Sequence, residues 1–132
     1  MIQISECFAN KIISYAMEER PNECCGVLAG RKGEFLKLYP MTNVDASPYR
    51  FSWDPKELFE VWKDMEDNNW EHRAVYHSHT HSAAYPSDTD IRLAGWPEAY
   101  YVIVSLADQK NPIIRAFRII NGDVTEEDLT LV

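Results

Sequence analysis

Between Tyr76 and Asp90 the chain reads Tyr-His-Ser-His-Thr-His-Ser-Ala-Ala-Tyr-Pro-Ser-Asp-Thr-Asp, which gathers three of its four histidines with two aspartates and three serines. Val75 and Tyr76 form a β-favouring apolar pair just ahead of it. If that strand runs on, His77 and His79 project from one face, because side chains along a strand alternate with period two. Asp90 follows eleven residues after His79, far enough for the chain to turn back through Pro86 and present a carboxylate to the same point. Two imidazole nitrogens and one carboxylate oxygen are a typical ligand set for a catalytic zinc ion, whose fourth tetrahedral position is left to water. Ser87 is placed to donate a hydrogen bond beside such a centre. A plainer reading of the same residues is a helix start, with Ser87 as N-cap and Asp90 at N3. The two readings are compatible, since a first-turn carboxylate can face a metal while the serine caps.

The order H-x-H-x7-S-x2-D, carried by His77, His79, Ser87 and Asp90, resembles the signature of the JAMM (MPN-plus) zinc metalloproteases, without insertion or deletion. The resemblance extends to Pro21-Asn22-Glu23-Cys24-Cys25-Gly26-Val27-Leu28, which is similar to the upstream segment that supplies the family's catalytic glutamate. It also includes Tyr100 to Ser105, similar to the strand after the metal-bearing helix. One departure is Thr80, where many members have proline. The resemblance implies Zn2+ held by His77, His79 and Asp90, Glu23 as proton shuttle and Ser87 as oxyanion donor. It implies as substrates ubiquitin-like proteins or, for small bacterial members, sulfur-carrier proteins of the ubiquitin fold, cut after a C-terminal Gly-Gly. It gives His81 no ligand role. The fold it implies is a sandwich of the cytidine-deaminase-like kind.

Read without the resemblance, Glu23 is an acidic residue at a strand start, and spacing does not choose it over the other carboxylates. Hydrolysis assisted by a metal does need one carboxylate that is not a ligand, to take a proton from the attacking water and pass it to the leaving amine. An alternative function is a non-catalytic MPN-type protein-binding scaffold, against which every motif position is filled. A nucleoside deaminase is disfavoured because H-x-E and P-C-x-x-C elements are absent.

Composition narrows the class further. A chain of 132 residues with 45% hydrophobic content supports a single domain over 1–132 with one core. Its net charge of -8 disfavours nucleic acid as partner, since phosphate binding needs a basic face. No apolar run approaches a membrane span and the N-terminus has no signal-peptide pattern, so a cytoplasmic protein without membrane association is expected. Oligomeric state is not readable. Cys7, Cys24 and Cys25 are an odd set without metal-binding spacing, expected as reduced, buried small residues.

Helices and strands interleave along the chain, which predicts a mixed, largely antiparallel sheet with helices packed on it. Met1 to Ile4 is a short strand, and Ser5 caps a helix with apolar positions Phe8, Ile12, Ile13 and Ala16, ended by Pro21. Cys24 to Ala29 and Glu34 to Pro40 form a hairpin around Gly30-Arg31-Lys32-Gly33. After a loop from Asn43 to Pro48, Tyr49 to Trp53 is expected as a strand. Asp54 as cap, Pro55 at N1 and Glu57 at N3 open a second helix with Leu58, Val61, Trp62 and Met65 buried, which stops near Asn68-Asn69. Glu71 to His77 returns to the sheet, with His72 an exposed edge residue. A short helix from Asp90 to Gly95 precedes two adjacent antiparallel strands, Tyr100 to Leu106 and Ile113 to Ile120. Asn121-Gly122 makes a tight turn into a last strand, Val124 to Val132.

Overall fold

The computed structural model describes residues 2–132, so Met1 of the expected first strand lies outside the described residues. The elements in chain order are β1 (Ile2–Ile4), α1 (Glu6–Glu19), β2 (Cys25–Arg31), β3 (Glu34–Met41), α2 (Pro55–Asp67), β4 (Glu71–His79), α3 (Asp88–Leu93), β5 (Tyr100–Ser105), β6 (Ile113–Ile120), β7 (Asp123–Glu127) and β8 (Leu129–Leu131). Six strands form one sheet in the order β3-β2-β4-β5-β6-β7. Only the central β4–β5 pair is parallel; its other neighbours run antiparallel. The sheet is thus mixed and largely antiparallel, as expected.

Alternation along β4 divides the core. Ala74 and Tyr76 face α1 in a cluster with Ala9, Ile12, Ala16, Val102 and Val104. Val75 faces the opposite side with Ile103 and Phe117, and Val27 and Ala29 meet Val61 and Met65 of α2 on that second side. His77 and His79 share the parity of Val75, which puts both on the α2 and α3 side of the sheet. Complete burial of a side chain such as Ile12 stabilises the α1 face by about 2–3 kcal/mol.

Local chemistry fixes the helix starts. The Ser5 hydroxyl accepts from the Phe8 amide, and the Asp54 carboxylate accepts from the Lys56 amide with Pro55 opening the first turn. Glu57 sits at N3 but does not complete a capping box. Its carboxylate accepts from the amide and hydroxyl of Thr42 at 2.8 and 2.7 Å, tying α2 to the end of β3. Gly26 faces Tyr76 across the β2–β4 register, and a Cβ there would lie 2.3 Å from the tyrosine ring, so only glycine lets that ring enter the core ahead of His77. Asn121 and Gly122 both have positive φ and close the β6–β7 turn as expected.

Several expectations are corrected. Tyr49 to Trp53 is not a strand: it makes only an isolated bridge, Asn43 to Trp53. The reason is Asn43, whose amide donates to the carbonyls of Glu23 and Arg50 while its oxygen accepts from Asp45 and Ser52. One side chain thereby organises the loop that a ladder would have straightened. The expected last strand is two strands. It breaks at Asp128, whose carbonyl accepts from the Ile2 amide, and β8 leaves the main sheet to pair in parallel with β1. On α2, Val61 and Met65 are buried but Trp62 is 36% exposed. Cys7 is exposed, whereas Cys24 and Cys25 are buried as expected. Among the described residues no helix is long and apolar enough to cross a membrane.

Candidate metal centre

β4 runs through to His79, and Pro86 and Ser87 return the chain so that α3 begins over its end. Nε2 of His77 and Nε2 of His79 lie 3.3 Å apart. Both approach one oxygen, Asp90 Oδ2, at 3.1 and 2.9 Å. All three side chains are buried, and their ligand atoms cluster as a group able to hold a metal ion. His79 Nδ1 donates to the Ala83 carbonyl at 2.8 Å, which orients the ring so that Nε2 faces Asp90 and His77. His77 is packed against the Phe51 ring, centroids 4.9 Å apart.

The capping reading holds as well. Ser87 Oγ accepts from the Asp90 amide, and Asp90 Oδ2 accepts from the Ser87 amide at 2.9 Å. One carboxylate therefore closes a capping box and faces both imidazoles. Burial acts to raise the Asp90 pKa, but hydrogen bonds from His77 and His79 outweigh it and hold the group well below the usual carboxylate range. For His79, burial acts downward and is outweighed by its bonds to Asp90 and the Ala83 carbonyl, so its pKa is raised. Two imidazoles and a permanent anion at such spacing form a cage for a cation.

Glu23 reaches the same place from another element. It lies just before β2 and is only 2% exposed, although its Oε1 has no hydrogen-bond partner. Burial, reinforced by Asp90 and opposed by His79, pushes its pKa up to about 8. A buried carboxyl kept close to neutral pH without a structural partner is suited to exchanging a proton with a bound molecule. Its position depends on a residue that sequence reasoning passed over. Ser78, on the opposite face of β4 from the two imidazoles, accepts from the Cys24 amide at 2.8 Å and returns its own amide to the Cys24 carbonyl. The strand that carries the imidazoles is thereby locked to the residue following Glu23. The only sequence signal was position, a polar residue between two ligands on a buried strand.

The structure brings Glu23, His77, His79, Ser87 and Asp90 to one site. It does not bring His81 there: that ring is exposed and meets Thr80 Oγ1 at 2.8 Å. Thr80 itself is buried. His72 is a correction. It is not an exposed edge residue but sits among Trp53, Trp62 and Trp96, with centroids 6.3, 5.2 and 4.8 Å away.

Burial pushes the His72 pKa down to about 4. Since the folded value lies below the ordinary one, protonation favours the unfolded chain. Stability from this residue is complete above about pH 6.5 and is lost as pH falls toward 4, by about 2–3 kcal/mol. Urea unfolding at pH 7 and 4.5 should show that extra loss in the wild type relative to His72→Phe. An equal loss in both would place the titration elsewhere.

The fold and site together define an α/β protein with a buried His-His-Asp group able to hold a metal ion, beside a buried glutamic acid. The chain belongs to the family described as prokaryotic homologs of the JAB domain, which matches residues 6–120. A CysO-cysteine peptidase of Mycobacterium tuberculosis is 42% identical over 125 residues, covering 93% of this chain and 86% of that protein. A desampylase of Haloferax volcanii is 35% identical over 103 residues, covering 73% of this chain and 74% of that protein. A solution structure from Desulfitobacterium hafniense is similar over all of this chain and 93% of its own, at 37% identity and a TM-score of 0.90.

Proposed function

We propose that this chain is a zinc-dependent peptidase that cleaves peptide or isopeptide bonds after the C-terminal Gly-Gly of a ubiquitin-like or sulfur-carrier protein. The observation that carries the reading is the convergence of His77 Nε2, His79 Nε2 and Asp90 Oδ2 near the buried Glu23 carboxyl, whose Oε1 has no hydrogen-bond partner. Zinc fits the donor set. With metal–ligand distances near 2 Å, a tetrahedral site has ligand edges of roughly 3.3 Å, and the three edges here are 3.3, 3.1 and 2.9 Å. Zinc bound there supplies Lewis acidity to the scissile carbonyl and to the water that attacks it. The peptidase and desampylase names of the relatives agree with that chemistry.

This chain's residues then divide the work. Glu23 takes a proton from the attacking water and delivers it to the leaving amine, so that an amine rather than an amide anion departs. His79 is held by Ala83 in the tautomer that keeps Nε2 available. Ser87 uses its oxygen to cap α3, which leaves its O–H free to donate to the carbonyl oxygen as negative charge develops there. Ser87→Ala is expected to retain metal and lower kcat by roughly 10²-fold, measured on zinc-loaded protein. A loss of stability with unchanged kcat would leave the serine as a cap alone.

Glycines at the cleavage point suit a recessed centre, because the absence of Cβ lets the backbone approach buried ligands. Intact-mass analysis should locate the cut after the second glycine of a carrier bearing a short C-terminal extension. Changing the two glycines to valines is expected to reduce cleavage at least about 10²-fold, the scale of losing productive alignment at the reacting bond. Equal cleavage of both, or hydrolysis of unrelated peptides without action on the carrier, would refute the assignment of substrate.

A further inference from the structure

Two clefts open beside the metal centre, and they differ in chemistry. One, of about 290 Å³, has a mixed lining in which Glu23, Ser82, Ser87, Asp88 and His79 stand beside Pro48 and Tyr49. The other, of about 260 Å³, is walled by Phe51, Trp53, Val75, Leu93, Trp96 and Tyr101, and ends on His77 and Asp90. Thr89 borders both. The aromatic wall is continuous: Phe51 lies 4.9 Å from His77, Trp53 lies 6.2 Å from Phe51, and Trp96 lies 6.1 Å from Trp53. The Trp96 amide donates to the Tyr101 hydroxyl at 3.0 Å, which pins one side of the cleft.

From this asymmetry we infer that the aromatic cleft selects a bulky apolar side chain on the residue immediately preceding the substrate's Gly-Gly. The inference rests on the peptidase reading above. The leaving amine has to reach Glu23 to receive its proton, which assigns the leaving group to the cleft that Glu23 borders and directs the acyl chain into the aromatic one. Two glycines offer nothing for the rings to grip. The first side chain available belongs to the residue before them, and at about 3.3 Å per extended residue its Cα stands roughly 8 Å from the scissile carbonyl. The Phe51 ring beside His77, and the Trp53 ring next to it, are the first apolar surfaces away from the ligands. Apart from the ligand Asp90, no carboxylate lines this cleft, and its one cation, Arg50, lies 3.4 Å from Asp45. Apolar contact therefore dominates what the cleft can offer.

The test uses the zinc-loaded 132-residue chain and carriers with a fixed Gly-Gly and C-terminal extension, in which the preceding residue is leucine, alanine or glutamate. The leucine carrier is expected to exceed the alanine and glutamate carriers by roughly tenfold or more in kcat/KM. Leu93→Glu, at a 60% exposed position on the cleft wall, should erase most of that preference. Equal rates for all three carriers, preference for glutamate, or an undiminished leucine preference in Leu93→Glu would each overturn the assignment of the cleft while leaving the peptidase reading intact. Failure to cleave any of the three would overturn the peptidase reading, and this inference with it.

Discussion

Glu23→Gln is expected to lower turnover by roughly 10²–10⁴-fold while the protein keeps its metal and its fold. Glutamine preserves the shape and the hydrogen-bonding capacity of the buried side chain but cannot take up and release a proton. The wild-type carboxyl is already costly to keep in place, since it is 2% exposed and its Oε1 lacks a partner. The substitution should therefore be neutral or mildly stabilising, and that combination separates a chemical role from a structural one. Single-turnover rates, zinc content and urea midpoints measured on one preparation would check it. Turnover near the wild-type rate would mean that another group moves the proton.

His79→Ala should have the next largest effect, and its signature is different. The imidazole is a proposed ligand and also bonds the Ala83 carbonyl, so its removal opens the cation cage and frees one end of the loop that returns to Ser87. Zinc content should fall from about one equivalent to well below a tenth, and activity should be lost with it. The stabilisation that zinc gives the wild type, about 4 kcal/mol when free metal exceeds its dissociation constant a thousandfold, should vanish in the variant. Unfolding of each protein with zinc and with a chelator would show this. His81→Ala is the control: its ring bonds Thr80 and is absent from the ligand group, so that variant should retain metal. Stoichiometric zinc in His79→Ala would refute the ligand assignment.

These expectations draw unequally on sequence and structure. Residues whose roles are set by local periodicity were legible directly. His77 and His79 share a face because a strand alternates, and Ser87 caps because a serine three residues before an aspartate satisfies free amides at a helix start, as Ser5 and Asp54 do for their helices. Asp90 was legible as a candidate from its spacing after His79, and the resemblance to the JAMM signature added Glu23, which spacing does not choose.

The sequence by itself determined the alternating strands, the caps and the Asn121-Gly122 turn, because each depends on neighbours within a few positions, and its motif spacing offered a candidate ligand set. Tertiary structure alone decided where the remaining side chains went. Asn43 turns an expected strand into a loop by bonding carbonyls from several parts of the chain, and Asp128 divides the last strand because β1 competes for its second half. Ser78 locks Cys24, next to Glu23, to the strand that carries both imidazoles through a bond between residues 54 positions apart. His72 and three tryptophans, separated in sequence, form an aromatic wall only when α2, β4 and the segment after α3 come together. The common physical reason is that a buried polar group or ring takes whichever partner the packed chain brings within reach, and such partners are not encoded in local spacing.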